Sequence, residues 1–127
     1  LGCMPAIVSA VLVRWLPAPF LSRPSAALDH MHQVLSNSSA EGYIACCEAI
    51  RDMDQRAILG RIQAKSLVIA GDLDAASPPA DGRFLSSAIA GARYLELAAA
   101  HMTNIEAAEI FTQAVIGFLT DGEDAAV

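Results

Sequence analysis

Apolar residues recur at helical spacing throughout the first half of the chain. Between positions 4 and 16 they fall at i, i+3, i+4, i+7, i+8, i+11 and i+12, which predicts one amphipathic helix that Pro17 and Pro19 end. Two shorter apolar faces predict helices around Leu28–Leu35 and Tyr43–Ile50, and Asp54 is expected to cap a fourth, short helix. The first half is therefore predicted to be all helical.

The pattern changes after residue 65, where two apolar stretches have the character of strands. Residues 66–70 (SLVIA) are apolar on both faces, as a buried parallel strand requires. Residues 94–97 (YLEL) alternate, as a strand nearer the edge of a sheet does. Because a helical segment separates them, the two strands are predicted to run parallel through a right-handed crossover. Two parallel strands do not form a stable sheet alone, so the sheet is expected to be incomplete.

Two helices are predicted beside these strands. Ser77 is expected to N-cap the first helix, whose inward face is formed by Phe84, Leu85, Ala88 and Ile89. Thr103 and Glu106 have the spacing of a capping box at the start of the second helix. That second helix is expected to bury its apolar residues, which are Ile105, Ala108, Phe111, Val115 and Phe118.

Composition and charge narrow the classes of partner. The net charge of −6 disfavours binding to nucleic acid and to anionic membranes. The apolar run AIVSAVLV is eight residues long, whereas a membrane span needs about 20. The odd count of three cysteines favours reduced thiols and a cytoplasmic location, with Cys46 and Cys47 packed in the core of the helical region. His30 and His32 would face apart on a helix, so no metal site is predicted.

Charged and polar side chains follow both predicted strands at the point where each strand ends. The first strand runs into GDLD, with Asp72 and Asp74, and the second runs into AAAH, with His101. The carboxyl ends of parallel neighbours meet at one edge of a sheet, so we expect Asp74 to lie near His101. A carboxylate beside an imidazole is what a nucleophilic hydrolase uses to orient its base. An Asx-turn at Asp74 and a turn-filling role for His101 are the alternatives, and spacing alone barely separates Asp72 from Asp74.

Longer stretches around these residues resemble a known family. Three stretches carry the resemblance: EGYIACCEAIRDMDQRAILGRI (41–62), VIAGDLDAASPPADG (68–82) and AAAHMTNIE (98–106). Through them the chain is similar to the 3-oxoadipate enol-lactone hydrolases of the α/β-hydrolase superfamily, and its residues 4–16 (MPAIVSAVLVRWL) resemble the start of their helical cap. The acid-before-histidine order also matches that superfamily.

The resemblance implies a partial α/β-hydrolase fold, with a helical cap at 1–60, the C-terminal part of the core at 61–120 and a flexible tail at 121–127. It also implies that Asp74, the fourth residue of G-x-x-D, is the catalytic acid and that His101 is the base. Asp72 occupies a variable position and is expected to organise the loop.

Two residues of the first helix are candidate substrate contacts. The resemblance raises Trp15, which is otherwise a core aromatic. Arg14 beside it would suit a lactone that carries a carboxylate, although the end of a helix is also an ordinary place for a solvated arginine. Met102, next to His101, is expected to pack or to line the pocket.

The family pattern is incomplete in one respect, because no G-x-S-x-G occurs in the 127 residues. The chain is therefore expected to be the C-terminal half of a larger hydrolase, inactive alone and in need of a missing N-terminal half as its partner. The implied activity is the opening of 3-oxoadipate enol-lactone to 3-oxoadipate in the β-ketoadipate pathway, without metal or organic cofactor. A fused decarboxylase could follow the tail.

Two alternatives remain open. The first is a non-catalytic interaction subunit that completes its sheet with another chain. The second is another α/β-hydrolase, either a general esterase or a cofactor-free haloperoxidase-like enzyme, because one scaffold serves many substrates.

Overall fold

A computed structural model describes residues 4–120. A helical region comes first and a β–α–β–α region follows. A 3-10 helix, Arg56–Arg61, joins the two regions. The other elements in chain order are α1 (Pro5–Trp15), α2 (Ala18–Leu21), α3 (Ala26–Asn37), α4 (Ala40–Asp52), β1 (Leu67–Gly71), α5 (Pro79–Ala88), β2 (Arg93–Leu97), α6 (Thr103–Glu106) and α7 (Ala108–Thr120).

Helix α1 forms the spine of the helical region, as its apolar spacing predicts. Val8, Leu12 and Leu16 repeat every four residues and are almost completely buried. They pack against Met31 and Leu35 of α3. Burial of each such side chain contributes about 1.5–3 kcal/mol to the stability of this region.

The two prolines after α1 act differently from the prediction. Pro17 does end α1, but it also occupies the N-cap position of the unpredicted helix α2, and Pro19 lies within the first turn of α2. Proline fits a first helical turn because its missing N–H would be unbonded there. The predicted fourth helix is a 3-10 helix, and Asp54 accepts a hydrogen bond from the Arg56 amide at its start.

Helix α4 has no buried residue, which corrects one prediction. Cys46 and Cys47 are free thiols and exposed, not packed in a core. The reason is that no element among residues 4–120 covers the α4 face that carries them. Near the end of the helix, Arg51 donates two hydrogen bonds of 2.7 Å to Asp52 on the surface.

Strands β1 and β2 pair in parallel, as predicted, with Leu67 opposite Arg93 and Gly71 opposite Leu97. Helix α5 packs against this pair at the buried Gly82. A Cβ at position 82 would lie 3.0 Å from the Tyr94 ring, so the glycine allows α5 its close approach to the sheet.

The inward face predicted for α5 is wrong at two positions. Phe84 is 48% exposed and Leu85 is 38% exposed, whereas Gly82 and Ile89 are buried. Helical spacing identifies an apolar face but not which neighbour covers it, and the described strands cover the Gly82 side. The predicted N-cap is also wrong, because the N-cap position belongs to Pro78 and the Ser77 side chain caps nothing.

The predicted last helix is two helices, separated at Ala107, whose backbone leaves the helical region (φ −118°, ψ 44°). The predicted capping box does not form, because no side chain caps α6 and the Glu106 carboxylate binds the Ala100 amide instead. Ala108 is exposed, while Phe111, Val115 and Phe118 are only partly buried. The predicted flexible tail, 121–127, lies outside the described residues.

No helix among residues 4–120 is both long enough and apolar enough to cross a membrane.

Candidate active site

The loops after β1 and β2 begin side by side because the strands end in register. Beyond the last paired residues, the Asp72 amide donates to the Leu97 carbonyl at 2.9 Å. The Leu73 amide donates to the Ala99 carbonyl at 3.0 Å. These two bonds hold the loop after β1 against the loop after β2 at the carboxyl edge of the sheet.

Gly71 makes this close approach possible. A Cβ at position 71 would lie 2.3 Å from the carbonyl oxygens of both Ala99 and Ala100. Neither oxygen can move without shifting the backbone that leads to His101. The glycine of GDLD is therefore required because the backbones of the two loops touch there.

Asp74 and His101 form a hydrogen-bonded pair at this edge. Asp74 Oδ2 lies 2.9 Å from His101 Nδ1, and the two side chains are 7% and 31% exposed. The other oxygen, Asp74 Oδ1, accepts from the amides of Ala76 at 2.7 Å and Ser77 at 2.9 Å. Both oxygens of a largely buried carboxylate are thus bonded.

The pKa of Asp74 lies below its ordinary value. Burial raises this pKa, but hydrogen bonds from the Ser77 amide, the His101 ring and the Ala76 amide together outweigh burial. The ionised carboxylate can only accept, so His101 donates from Nδ1. Nε2 is then the ring nitrogen that remains to take a proton.

The two aspartates of GDLD have different hydrogen-bond partners. Asp72 is exposed, and its Oδ1 accepts from the Ala99 amide at 3.2 Å, which ties the two loops together. Asp74 is the one that bonds the imidazole.

Trp15 also lies at this edge. Its ring centroid is 6.0 Å from that of His101, with the planes inclined by 31°. Its carbonyl accepts from the Met102 amide at 3.3 Å. Met102 itself packs against the α1–α3 core, which is one of its two predicted roles.

Arg14 faces another part of the molecule. It is exposed, and its charge acts on the Tyr43 hydroxyl of α4. There it opposes the rise in the Tyr43 pKa that burial and Cys47 produce. The described structure thus brings Trp15, but not Arg14, into contact with the His101 ring.

Sequence reasoning missed one polar group that holds the loop before His101. Glu106 Oε2 accepts from the Ala100 amide at 2.7 Å. Its signal in the sequence is an acidic residue shortly after the histidine, and the same spacing also predicts a capping box with Thr103.

A cavity of about 250 Å³ adjoins the pair, lined by Asp74, His101, Thr103, residues 68–71 of β1 and part of α5. A larger cavity of about 380 Å³ lies between the 3-10 helix and α5 and contains neither His101 nor Asp74. The chemical groups identify the smaller cavity as the candidate site. Among residues 4–120, no three His, Cys, Asp or Glu side chains are arranged to hold a metal ion.

Comparison with known proteins gives the family. No family model matches the chain. The chain is 36% identical to "3-oxoadipate enol-lactonase 2" of Acinetobacter baylyi over 86% of its own length and 41% of that protein. It superposes on the crystal structure of the enol-lactonase from Burkholderia xenovorans LB400 with a TM-score of 0.88 and 45% identity, covering 92% of this chain and 45% of that one.

The chain belongs to the α/β-hydrolase family. A more distant α/β-hydrolase structure, a bromoperoxidase from Bacillus anthracis, shares only the fold, with 23% identity and a TM-score of 0.80 over 91% of this chain and 44% of that one. The enol-lactonase relatives match through their C-terminal part. The chain spans about two fifths of the length of the curated relatives that it matches.

Proposed function

We propose that this chain carries the acid and the base of a serine-type lactone hydrolase that opens 3-oxoadipate enol-lactone. The observation that carries the proposal is the 2.9 Å bond between His101 Nδ1 and Asp74 Oδ2 at the carboxyl edge of a parallel sheet. The printed names of the 36% and 45% identical relatives support the substrate.

In this mechanism, a serine from the remainder of the fold attacks the lactone carbonyl while His101 Nε2 takes its proton. Asp74 keeps Nδ1 protonated and offsets the positive charge of the imidazolium. The ring C–O bond then breaks, and His101 returns the proton to the departing enol oxygen. Water next attacks the acyl-serine, with His101 again accepting a proton and passing it to the serine oxygen. The freed enol can tautomerise to a ketone, which disfavours ring closure.

The Trp15 ring would form one wall of the active site, because it already contacts His101. Arg14 remains a proposed partner for a substrate carboxylate. Its exposure and its position beside Tyr43 give it less support than Trp15 has. No cofactor is needed for this chemistry.

The nucleophile and the oxyanion hole would come from additional polypeptide that extends the sheet. Within residues 4–120, β1 has β2 as its one strand neighbour, so its other edge offers unpaired N–H and C=O groups. We propose that a further parallel strand pairs there, that the chain alone is inactive, and that the enzyme works in the cytoplasm.

The test is a hybrid enzyme in which residues 4–120 replace the matching segment of the Burkholderia xenovorans enol-lactonase. A second hybrid in the Acinetobacter baylyi relative guards against one host that fails to fold. We expect the hybrid to hydrolyse the enol-lactone and expect His101→Ala to lower kcat by about 10³-fold or more. His32→Ala, on the exposed face of α3, is the matched control.

Near-normal turnover by the His101→Ala hybrid would show that His101 is not the catalytic base. A hybrid that folds and cleaves p-nitrophenyl esters but not the enol-lactone would retain the hydrolase mechanism and exclude the proposed substrate. That second result would favour the general-esterase alternative, and activity dependent on halide and peroxide would favour the haloperoxidase-like one.

A second candidate function, a non-catalytic subunit that completes its sheet with another chain, has one specific observation in its favour. Large apolar side chains of α5 and α7 are exposed in the described structure. Such surfaces mark interfaces between polypeptides. Size-exclusion chromatography with a chain carrying the other strands would then give a stable complex without lactone turnover. The residues concerned are Phe84, Leu85, Ile110, Ile116 and Leu119.

A further inference from the structure

The backbone of His101 is held on both of its sides. On the N-terminal side, the Ala100 amide donates to Glu106 Oε2 at 2.7 Å. On the C-terminal side, the Met102 amide donates to the Trp15 carbonyl at 3.3 Å. The first contact is the shorter of the two.

The Ala100 amide needs this acceptor. Ala99 is completely buried and Ala100 is 5% exposed, so water has little access to the backbone just before His101. A buried amide without an acceptor is costly and would drive the loop to rearrange. Glu106 supplies the acceptor from α6, in the turn that follows His101 in the chain.

The Glu106 carboxylate therefore holds the backbone next to His101, while Asp74 holds the imidazole ring. Asp74 fixes Nδ1, which sets the tautomer and the tilt of the ring. A displaced Cα would leave the Asp74 bond strained or would move Nε2 away from the nucleophile. Displacements of about 1 Å can lower turnover on the order of 10²-fold.

We infer that Glu106 is a positioning residue for His101, which it serves by holding the Ala100 amide. This inference rests on the proposed function, in which His101 is the base. Glu106 touches no reacting atom, and its contribution depends on the reach of its oxygen rather than on its charge.

Three substitutions in the hybrid enzyme separate reach from charge. Glu106→Ala removes the acceptor and should lower kcat by roughly tenfold to a hundredfold with KM unchanged. Glu106→Asp keeps the charge but withdraws the oxygen by one methylene, and should lower kcat to a similar extent. Glu106→Gln keeps an oxygen at the same reach and should retain at least half of kcat. Glu109→Ala, an exposed carboxylate on α7, is the matched control and should leave kcat unchanged.

The Gln and Asp variants decide the matter even if Glu106→Ala fails to fold. Equal kcat values for Glu106→Gln and Glu106→Asp would overturn the inference. So would a lowered melting temperature in all three variants with normal kcat for the folded fraction, since that result indicates a purely structural carboxylate. If His101→Ala is inactive and Glu106→Ala is fully active, the positioning role alone fails. If His101→Ala is fully active, the proposed function itself fails.

Discussion

Two loops meet at the candidate site and are held in opposite ways. The acid loop (residues 72–78) fixes Asp74 largely through its own backbone, since the amides of Ala76 and Ser77 bind one carboxylate oxygen. The base loop (residues 98–102) is fixed by groups that lie outside it, namely Glu106, Asp72 and the Trp15 carbonyl. The Ala99 amide of this loop donates to Asp72, 27 positions earlier in the chain, and the Met102 amide donates to the Trp15 carbonyl of α1.

The difference shows which half of the pair depends on the completed fold. A carboxylate bound by amides two and three residues ahead is oriented as soon as its turn forms. An imidazole on a loop held by α1, α6 and the acid loop is oriented only after these elements have packed. We therefore expect substitutions far from the site to leave the conformation of the acid loop unchanged and to disturb that of the base loop.

The largest expected effect comes from neutralising the acid. In the hybrid enzyme, Asp74→Asn should lower kcat by about 10³- to 10⁴-fold, because the imidazolium loses its counter-charge and its tautomer is no longer fixed. Asp72→Asn is the matched substitution two residues away and should cost less than about tenfold, since Asp72 ties loops and does not bond the ring. Steady-state kinetics with the enol-lactone measure both. Equal losses would mean that the two loops do not divide the work as described.

A methyl group placed where the loops touch should have the next largest effect. Gly71→Ala puts a Cβ 2.3 Å from two backbone carbonyl oxygens and should lower the free energy of unfolding by about 3 kcal/mol. Gly117→Ala in α7 is the control. Nothing lies within 4 Å of its added Cβ, so it should stabilise by up to about 1 kcal/mol. Urea denaturation of the hybrid measures both, and an undiminished stability for Gly71→Ala would contradict the close contact.

A smaller effect on the free energy of unfolding is expected when the pH is lowered. Because the folded-state pKa of Asp74 is lowered, its carboxylate stabilises the fold at pH values above about 3.9, the ordinary pKa of aspartate. This contribution is lost as the pH falls through the lower, folded-state pKa. The difference in unfolding free energy between the parent hybrid and Asp74→Asn should therefore be constant near neutral pH and shrink below pH 4. A difference that grows toward low pH would mean that the pKa is raised.

Local patterns in the sequence predicted much of the fold and the central pair. Helix α1 and the two strands are predictable because burial directly determines the spacing of apolar residues in a helix and the apolar composition of a strand. The meeting of Asp74 with His101 followed from strand order, since parallel neighbours end at one edge. The choice between Asp72 and Asp74 needed either family resemblance or coordinates.

The errors share a physical cause, which is that they depend on what lies next to an element. Phe84 and Cys46 sit at helical spacing suited to burial, yet both are exposed in the described structure. Glu106 has the spacing of a capping box, but the buried amide of Ala100 is the donor that it satisfies. Competition between two possible donors is settled by tertiary packing, which sequence spacing does not encode.

The contact between Trp15 and Met102 separates two properties of one residue. The last carbonyls of a helix have no partner within it, and the Met102 amide satisfies one of them at the end of α1. Every amino acid has that carbonyl, so the acceptor of this bond between α1 and the histidine loop does not depend on the side chain at position 15. Substitution at this position can therefore change the side chain that faces the imidazole while keeping this hydrogen bond, which under the proposed function makes position 15 a place to alter substrate preference.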